Sequence, residues 1–241
     1  MYYIPSNQVK GTGVYYEGIN ERVPWVMSDG TLDAITTLHN LKERKNILDI
    51  GCGNGMTLDY FAGTAHTLAG IDLNDYVNVS SKDKIKFSVV DLNFDPLPYA
   101  DKSMDLVFAL QVIEHLENPF LMMREAHRIL QDEGLFIFSV PNPFTFSSKL
   151  RFFLYGNARR WHLRNDHLLF LTKDVFAKTY GAHFDVVSRH YQKGIVPLLG
   201  RFLKLIGIKP SQANTKLLPR MEAFGDSYCY VLRKKAVVKT I

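Results

Sequence analysis

Leu48-Asp49-Ile50-Gly51-Cys52-Gly53-Asn54-Gly55 is the stretch on which the fold turns. Asn46–Gly51 reads as a short buried strand, and Thr57–Ala62 reads as a helix. Between them, glycines at alternate positions let the backbone turn tightly and approach a ligand closely. The spacing is GxGxG. The third glycine of the dinucleotide fingerprint would fall at Met56, so that fingerprint is not met, and no GxxxxGK[ST] phosphate loop occurs.

Working outward, short apolar runs alternate with helical patterns. His66–Asp72, Ile85–Leu92, Met104–Leu110 and Leu135–Val140 read as strands two to five. Asn118-Pro119 opens a helix as N-cap and first-turn proline, Met122, Ala126, Ile129 and Leu130 give it an apolar stripe, and Gly134 is expected to end it. A helix near Lys173–Tyr180 precedes a sixth strand at Phe184–His190, and Tyr228–Arg233 makes a seventh. This alternation predicts an α/β fold, a doubly wound, mostly parallel sheet with ligands at the carboxyl ends of its strands.

Two acids follow the glycine loop in the expected order. Asp72 ends the second strand 21 residues beyond Gly51, where a carboxylate can accept both hydroxyls of a ribose. Asp91 ends the third, where a carboxylate can accept from an exocyclic amine such as that of adenine.

Composition excludes several classes. The 241 residues are 46% hydrophobic and 22% charged, which is ordinary globular usage and not that of a disordered or fibrous chain. The two cysteines, Cys52 and Cys229, form no CxxC pair and supply no zinc set, so a reducing cytoplasm is the expected location. No run of about 18 uncharged apolar residues and no basic-then-apolar leader is present. Charge is unevenly placed. Residues 1–133 carry 11 basic and 19 acidic side chains, whereas residues 134–221 carry 14 basic and three acidic.

Asp49 through Gly55, Gly70-Ile71-Asp72, Asp91-Leu92 and Phe108–Pro119 together resemble the class I S-adenosylmethionine-dependent methyltransferases. More narrowly they are similar to the small-molecule branch that includes ubiquinone-biosynthesis O-methyltransferases. Gly134–Asn142 and Asp166–Thr172 fit as well, so the resemblance covers roughly residues 40–192 and the last strand. It implies a Rossmann-like sheet of seven strands, the last antiparallel, with helical cap insertions.

Within a single domain over 1–241, the resemblance divides the chain into an N-terminal lid (1–40), a cofactor-binding core (41–140), substrate-cap insertions (141–165 and 193–220) and the remainder of the core sheet (166–192 and 221–241). It also implies the site. Asp49, Gly51, Cys52, Gly53 and Gly55 would form the S-adenosylmethionine loop. Asp72 would hold the ribose, and Leu73 would lie on the adenine. Asp91 and Leu92 would take the adenine edge, Leu110 and Gln111 would line the far side, and Arg22 would pair with the methionine carboxylate.

A sulfonium methyl is already activated, so positioning supplies much of the catalysis, and a base matters for a neutral hydroxyl nucleophile. His115, directly after the fourth strand, and His167 are the expected bases, with Asp166 beside His167 to orient its ring. Some quinone-pathway relatives carry acidic metal ligands here. Gln111 stands where they have an acid, so no metal is expected.

The basic insertions admit three readings: a lid over a hydrophobic small molecule, an amphipathic surface meeting an anionic membrane and a lipid-linked acceptor, or a nucleic-acid face. Pro197–Ile206 alternatively buries its apolar helical face as plain core. The Leu- and Phe-rich composition, the lack of an RNP1 pattern and the lack of an Asn-Pro-Pro-Tyr-type tetrapeptide at Ala109–Val112 put a small or lipid-like acceptor, methylated at oxygen, ahead of RNA. A non-catalytic binding module is the alternative from another class.

Overall fold

The computed structural model describes residues 23–158, 160–161, 166–192 and 222–235. Arg22, most of the 1–40 segment and the 193–220 insertion with Pro197–Ile206 lie outside the described residues.

Two short helices, α1 (Trp25–Ser28) and α2 (Thr31–Leu38), lead into β1 (Asn46–Ile50), α3 (Met56–Asp59), β2 (Thr67–Asp72), β3 (Ile85–Val89) and β4 (Met104–Leu110). Then follow α4 (Pro119–Ile129), β5 (Leu130–Pro141), α5 (Phe146–Tyr155), α6 (Lys173–Lys178), α7 (Tyr180–His183), β6 (Phe184–Tyr191) and β7 (Ser227–Lys234). The sheet runs β3-β2-β1-β4-β5-β7-β6. Strands β1 to β5 pair parallel with one another, and β7 is antiparallel to both β5 and β6.

Strand alternation splits the core into two layers. In β4 and β5, Leu106, Phe108, Leu135 and Ile137 face the α1–α3 side, while Val107, Ala109, Phe136 and Phe138 face the α4, α6 and α7 side. Both faces are covered, which is why these strands read as nearly continuous apolar runs. Each fully buried phenylalanine stabilises the fold by roughly 1.5–3 kcal/mol. Phe138 stacks on Tyr230, which stacks in turn on Phe176 at a centroid distance of 4.5 Å, tying the antiparallel strand to α6.

The α4 cap forms as expected, with the Asn118 side chain accepting from the Leu121 N–H and proline in the first turn. Its end does not. The helix stops at Ile129, and β5 begins at Leu130 with an irregularity in its pairing to β4. Glu133 takes up a left-handed φ of 63° inside that irregularity. Gly134 therefore closes a bulge instead of a helix. A Cβ there would stand 2.8 Å from the Gln131 carbonyl oxygen.

The first strand order reversal lies between β1 and β4, so the carboxyl ends of β1, β2 and β4 gather one set of loops.

Candidate active site

The glycine loop is shaped by what lies beneath it. Gly51 has φ +66°, and a Cβ there would meet Val112 Cγ2 at 2.4 Å, so the loop seats directly on the chain leaving β4. Gly53 has φ +50° and nothing within 4 Å of its Cβ position, which leaves the outer side of the loop open. Asp72 closes the loop from β2. Its Oδ2 accepts from the Gly53 N–H at 2.9 Å and its Oδ1 from the Leu73 N–H at 2.7 Å. Burial pushes the Asp72 carboxyl above its ordinary range, against the pull of those two N–H groups.

Asp49 is buried below the loop. Burial raises its carboxyl to about 7, offset in part by a hydrogen bond from Thr57, and its Oδ1 has no hydrogen-bond partner. Cys52 is turned inward, with Sγ 2.8 Å from the Cβ position of Gly70 in β2. Only its backbone can therefore serve the loop's outer side.

The other expected cofactor contacts divide by exposure. Val90 N–H donates to the Asp72 carbonyl at 3.1 Å, carrying Asp91 alongside the end of β2. Asp91 Oδ1 accepts from Asn93 N–H, forming a local turn. Leu73 is 38% exposed and free to cover a flat ring, whereas Leu92 is buried in the core with only its backbone available. Leu110 is partly buried against the α1–α3 layer. Gln111 adopts φ 58°, donates its backbone N–H to the Ser139 carbonyl and places Nε2 3.3 Å from Ser139 Oγ.

An acid–histidine cluster sits beyond Gln111. A 3₁₀ turn over Ile113–His115 follows β4, and the carbonyl of Glu114 accepts from the N–H groups of Leu168 and Leu169. This strap brings together both expected bases, with ring centroids 4.8 Å apart. Asp166 pairs with His115, Oδ1 to Nδ1 at 3.1 Å, and not with the ring of its sequence neighbour His167. Burial lowers the affinity of His115 for a proton, but the hydrogen bond to Asp166 and the charge of Glu114 outweigh it, and the net shift is upward. His167 goes the other way, lowered to about 4 by burial and by the charge of His115.

Glu114 was missed by sequence reasoning. It is 1% exposed, and neither side-chain oxygen has a hydrogen-bond partner. Oε1 lies 3.9 Å from His115 Nε2. Burial raises its carboxyl to about 7, and the charge of His115 opposes that rise, so the two groups titrate against each other. Glu114, His115 and His167 offer ligand atoms within 4.8 Å of one another, so this is where a cation could be held among the described residues. No sequence signal marks Glu114 as buried, because it sits in a single turn between Ile113 and Leu116.

Residues 48–138 match the family described as a methyltransferase domain. The strand order and the loop agree with that match over the same residues. Residues 48–138 form a class I methyltransferase core. Its relatives include a probable S-adenosylmethionine-dependent methyltransferase of Mycobacterium tuberculosis, 34% identical over 43% of this chain and 38% of that protein. A ubiquinone biosynthesis O-methyltransferase of Rickettsia felis is 28% identical over 52% of this chain and 53% of its own length. The chain thus spans about half or less of these two relatives. The solved structure of a S-adenosylmethionine-dependent methyltransferase from Archaeoglobus fulgidus superposes with a TM-score of 0.61 at 18% identity, over 92% of this chain and 99% of that one.

The methyltransferase core has the features its cofactor needs. The loop is open above Gly53, Asp72 keeps acceptor capacity on both oxygens, and Asp49 carries a buried carboxylate oxygen without a donor beside the loop. A cationic ligand bearing a ribose fits that donor set. Gly51, Gly53, Gly55, Asp72, Leu73 and Asp91 are the residues that would hold S-adenosylmethionine. No helix among the described residues is long and apolar enough to cross a membrane.

Proposed function

We propose that this chain transfers the methyl group of S-adenosylmethionine to an oxygen of a small or lipid-like acceptor. The observation that carries the reading is the Asp72 carboxylate spanning Gly53 and Leu73, with open space directly above Gly53. When bound there, S-adenosylmethionine would supply an activated sulfonium methyl and a neutral thioether leaving group.

The chain's own residues handle the acceptor. Asp166 holds His115 through Nδ1, so Nε2, 3.9 Å from Glu114 Oε1, is the nitrogen that takes the acceptor's hydroxyl proton as the oxygen–methyl bond forms. Asp166 then stabilises the imidazolium. His167 stays neutral near pH 7 and lines the same space, with Trp161 packed against it at 5.6 Å. A neutral hydroxyl gains roughly 100- to 10,000-fold from such a base. The ubiquinone O-methyltransferase names among the relatives support an oxygen acceptor.

The lipid-like part of the reading rests on α5. Phe146, Leu150, Phe152, Phe153, Leu154 and Tyr155 are all exposed, Phe153 by 85%, with Lys149 and Arg151 among them. An apolar, basic helix at the carboxyl edge of the sheet suits peripheral contact with an anionic membrane.

The test is transfer of radiolabelled methyl from S-adenosylmethionine into a cell extract, followed by organic–aqueous partition. Label in the organic phase supports a lipid-like acceptor. Label in the aqueous phase that survives nuclease supports a small polar one, and nuclease-sensitive label overturns the small-acceptor reading.

A further inference from the structure

Beside the acceptor side of the sheet, strands β6 and β7 carry a shallow surface cleft. Its aromatic walls are Phe144, Tyr191, Tyr228 and Tyr230, and its charged groups are Lys173, Arg189 and Glu222. Nothing in the methyl-transfer reading uses them.

The cleft is built around a cation that is held but not neutralised. The Arg189 guanidinium lies 4.5 Å from the centroid of Tyr230, on the ring face. Its NH1 donates to the Tyr191 hydroxyl at 3.3 Å. Among the described residues no carboxylate stands within ion-pair distance of it. The one acid in the cleft, Glu222, is taken by Lys173 at 3.1 Å. The ring below is fixed too, since Tyr230 stacks on Phe176 and Phe138, and Tyr228 donates to the Leu171 carbonyl. An arginine preorganised over an aromatic face presents its remaining N–H groups in the fork that a planar or tetrahedral oxyanion accepts.

The cleft is joined to the histidine cluster by a line of rings. Phe144 packs edge-on to Phe170, Phe170 packs on Trp161, Trp161 on His167 and His167 on His115, with successive centroids 4.8 to 6.3 Å apart. An acceptor lying along that wall would have its reacting oxygen at the histidines and its far end near Arg189.

We infer that Arg189, over Tyr230 and beside Lys173, is the subsite for an oxyanion group, phosphate or carboxylate, carried by the methyl acceptor. The assignment rests on the methyl-transfer reading for its place along the acceptor path. The anion-binding property itself stands independently of it. Arg189 is in this account a specificity residue that never touches the methyl group.

The experiment uses the full chain and three probes, phenyl phosphate, benzoate and phenol, with binding measured by calorimetry. Phenyl phosphate or benzoate is expected to bind at least tenfold more tightly than phenol, and whichever binds names the oxyacid. Arg189→Gln should weaken that probe tenfold or more, and Lys173→Gln should weaken it by a smaller factor. Both variants should keep the parent's affinity for S-adenosylmethionine and its melting temperature. Binding insensitive to both substitutions, or none by either anionic probe, overturns the subsite. A parent that binds the anion through Arg189 but fails to bind S-adenosylmethionine overturns the methyl-transfer reading instead.

Discussion

Asp166 Oδ1 stands 3.1 Å from His115 Nδ1, across 51 positions of sequence, while the adjacent His167 packs T-shaped against Trp161. This pairing decides which histidine can carry a proton. His115, facing carboxylates from two directions, is shifted upward, and His167 is depressed to about 4.

The shift has a definite sign in pH. A histidine whose folded pKa is raised stabilises the fold fully below its unfolded value, about 6.5, and loses that contribution as pH rises through the folded value. Asp166, lowered by His115, adds stability above the ordinary aspartate range near 3.9 and loses it as pH falls further. The pair therefore contributes most between about pH 4 and 6.5. Methyl transfer, which needs unprotonated His115, should rise with pH through its midpoint. Asp166→Asn should move the His115 titration, followed by proton NMR of the imidazole, to lower pH, and should reduce turnover about tenfold or more. An unmoved midpoint would remove Asp166 from the mechanism.

Asp72 gives a cleaner test of the cofactor site. Asp72→Ala removes the acceptor of two loop N–H groups and the carboxylate set to meet a ribose. S-adenosylmethionine affinity by calorimetry should fall at least tenfold, since each hydrogen bond to a charged group is worth about 1.5–3 kcal/mol. Retained affinity would mean that the open side of the loop serves another ligand.

Much of this arrangement was legible in the sequence, for a physical reason. The central strands were readable because burial on both faces forces apolar runs, and the loop was readable because a chain passing over Val112 tolerates no Cβ at Gly51. Three things were not. The end of α4 was placed at Gly134, because a glycine in a bulge and a glycine after a helix look alike in one dimension. Asp166 was placed beside His167, because adjacency along an extended strap sends neighbouring side chains to different partners. The burial of Glu114 and the stacking of Arg189 on Tyr230 are products of tertiary contact alone and leave no period to read.

Two glycines of the loop should respond differently to the same substitution. Gly51→Ala drives a methyl into Val112 as well as straining a left-handed φ. It should lower stability by about 2–5 kcal/mol, adding roughly 1–2 for backbone strain to roughly 1–3 for overpacking. Val112→Ala in the same chain should recover part of that loss. Gly53→Ala meets no atom within 4 Å, so it pays only the backbone strain, but its methyl enters the open space above the loop. Chemical denaturation and cofactor titration together should show Gly51→Ala as a stability variant and Gly53→Ala as a binding variant. Equal effects on cofactor affinity per unit of lost stability would mean that the space above Gly53 is not the cofactor's.

Glu114 supplies the most unusual expectation, because removing a buried carboxyl should help the fold. Burial raises its pKa from 4.5 to about 7. The folded state thus binds the proton more tightly than the unfolded chain does. By linkage the favourable contribution of the protonated acid is present below about pH 4.5, erodes as pH rises, and is gone above about 7, where the fold must hold a buried charge that accepts no hydrogen bond. Gln has the same shape and no charge to bury. Glu114→Gln should therefore exceed the parent's stability by about 1–3 kcal/mol at pH 8, on the order expected for a shift of this size. The gain should shrink steadily as pH falls and vanish near pH 4.5. Urea unfolding at pH 4.5, 6 and 8 measures it directly. A variant destabilised equally at all three values would show that Glu114 is held by a partner that its carboxyl group alone can satisfy, and a bound cation between Glu114, His115 and His167 would then be the first occupant to assay.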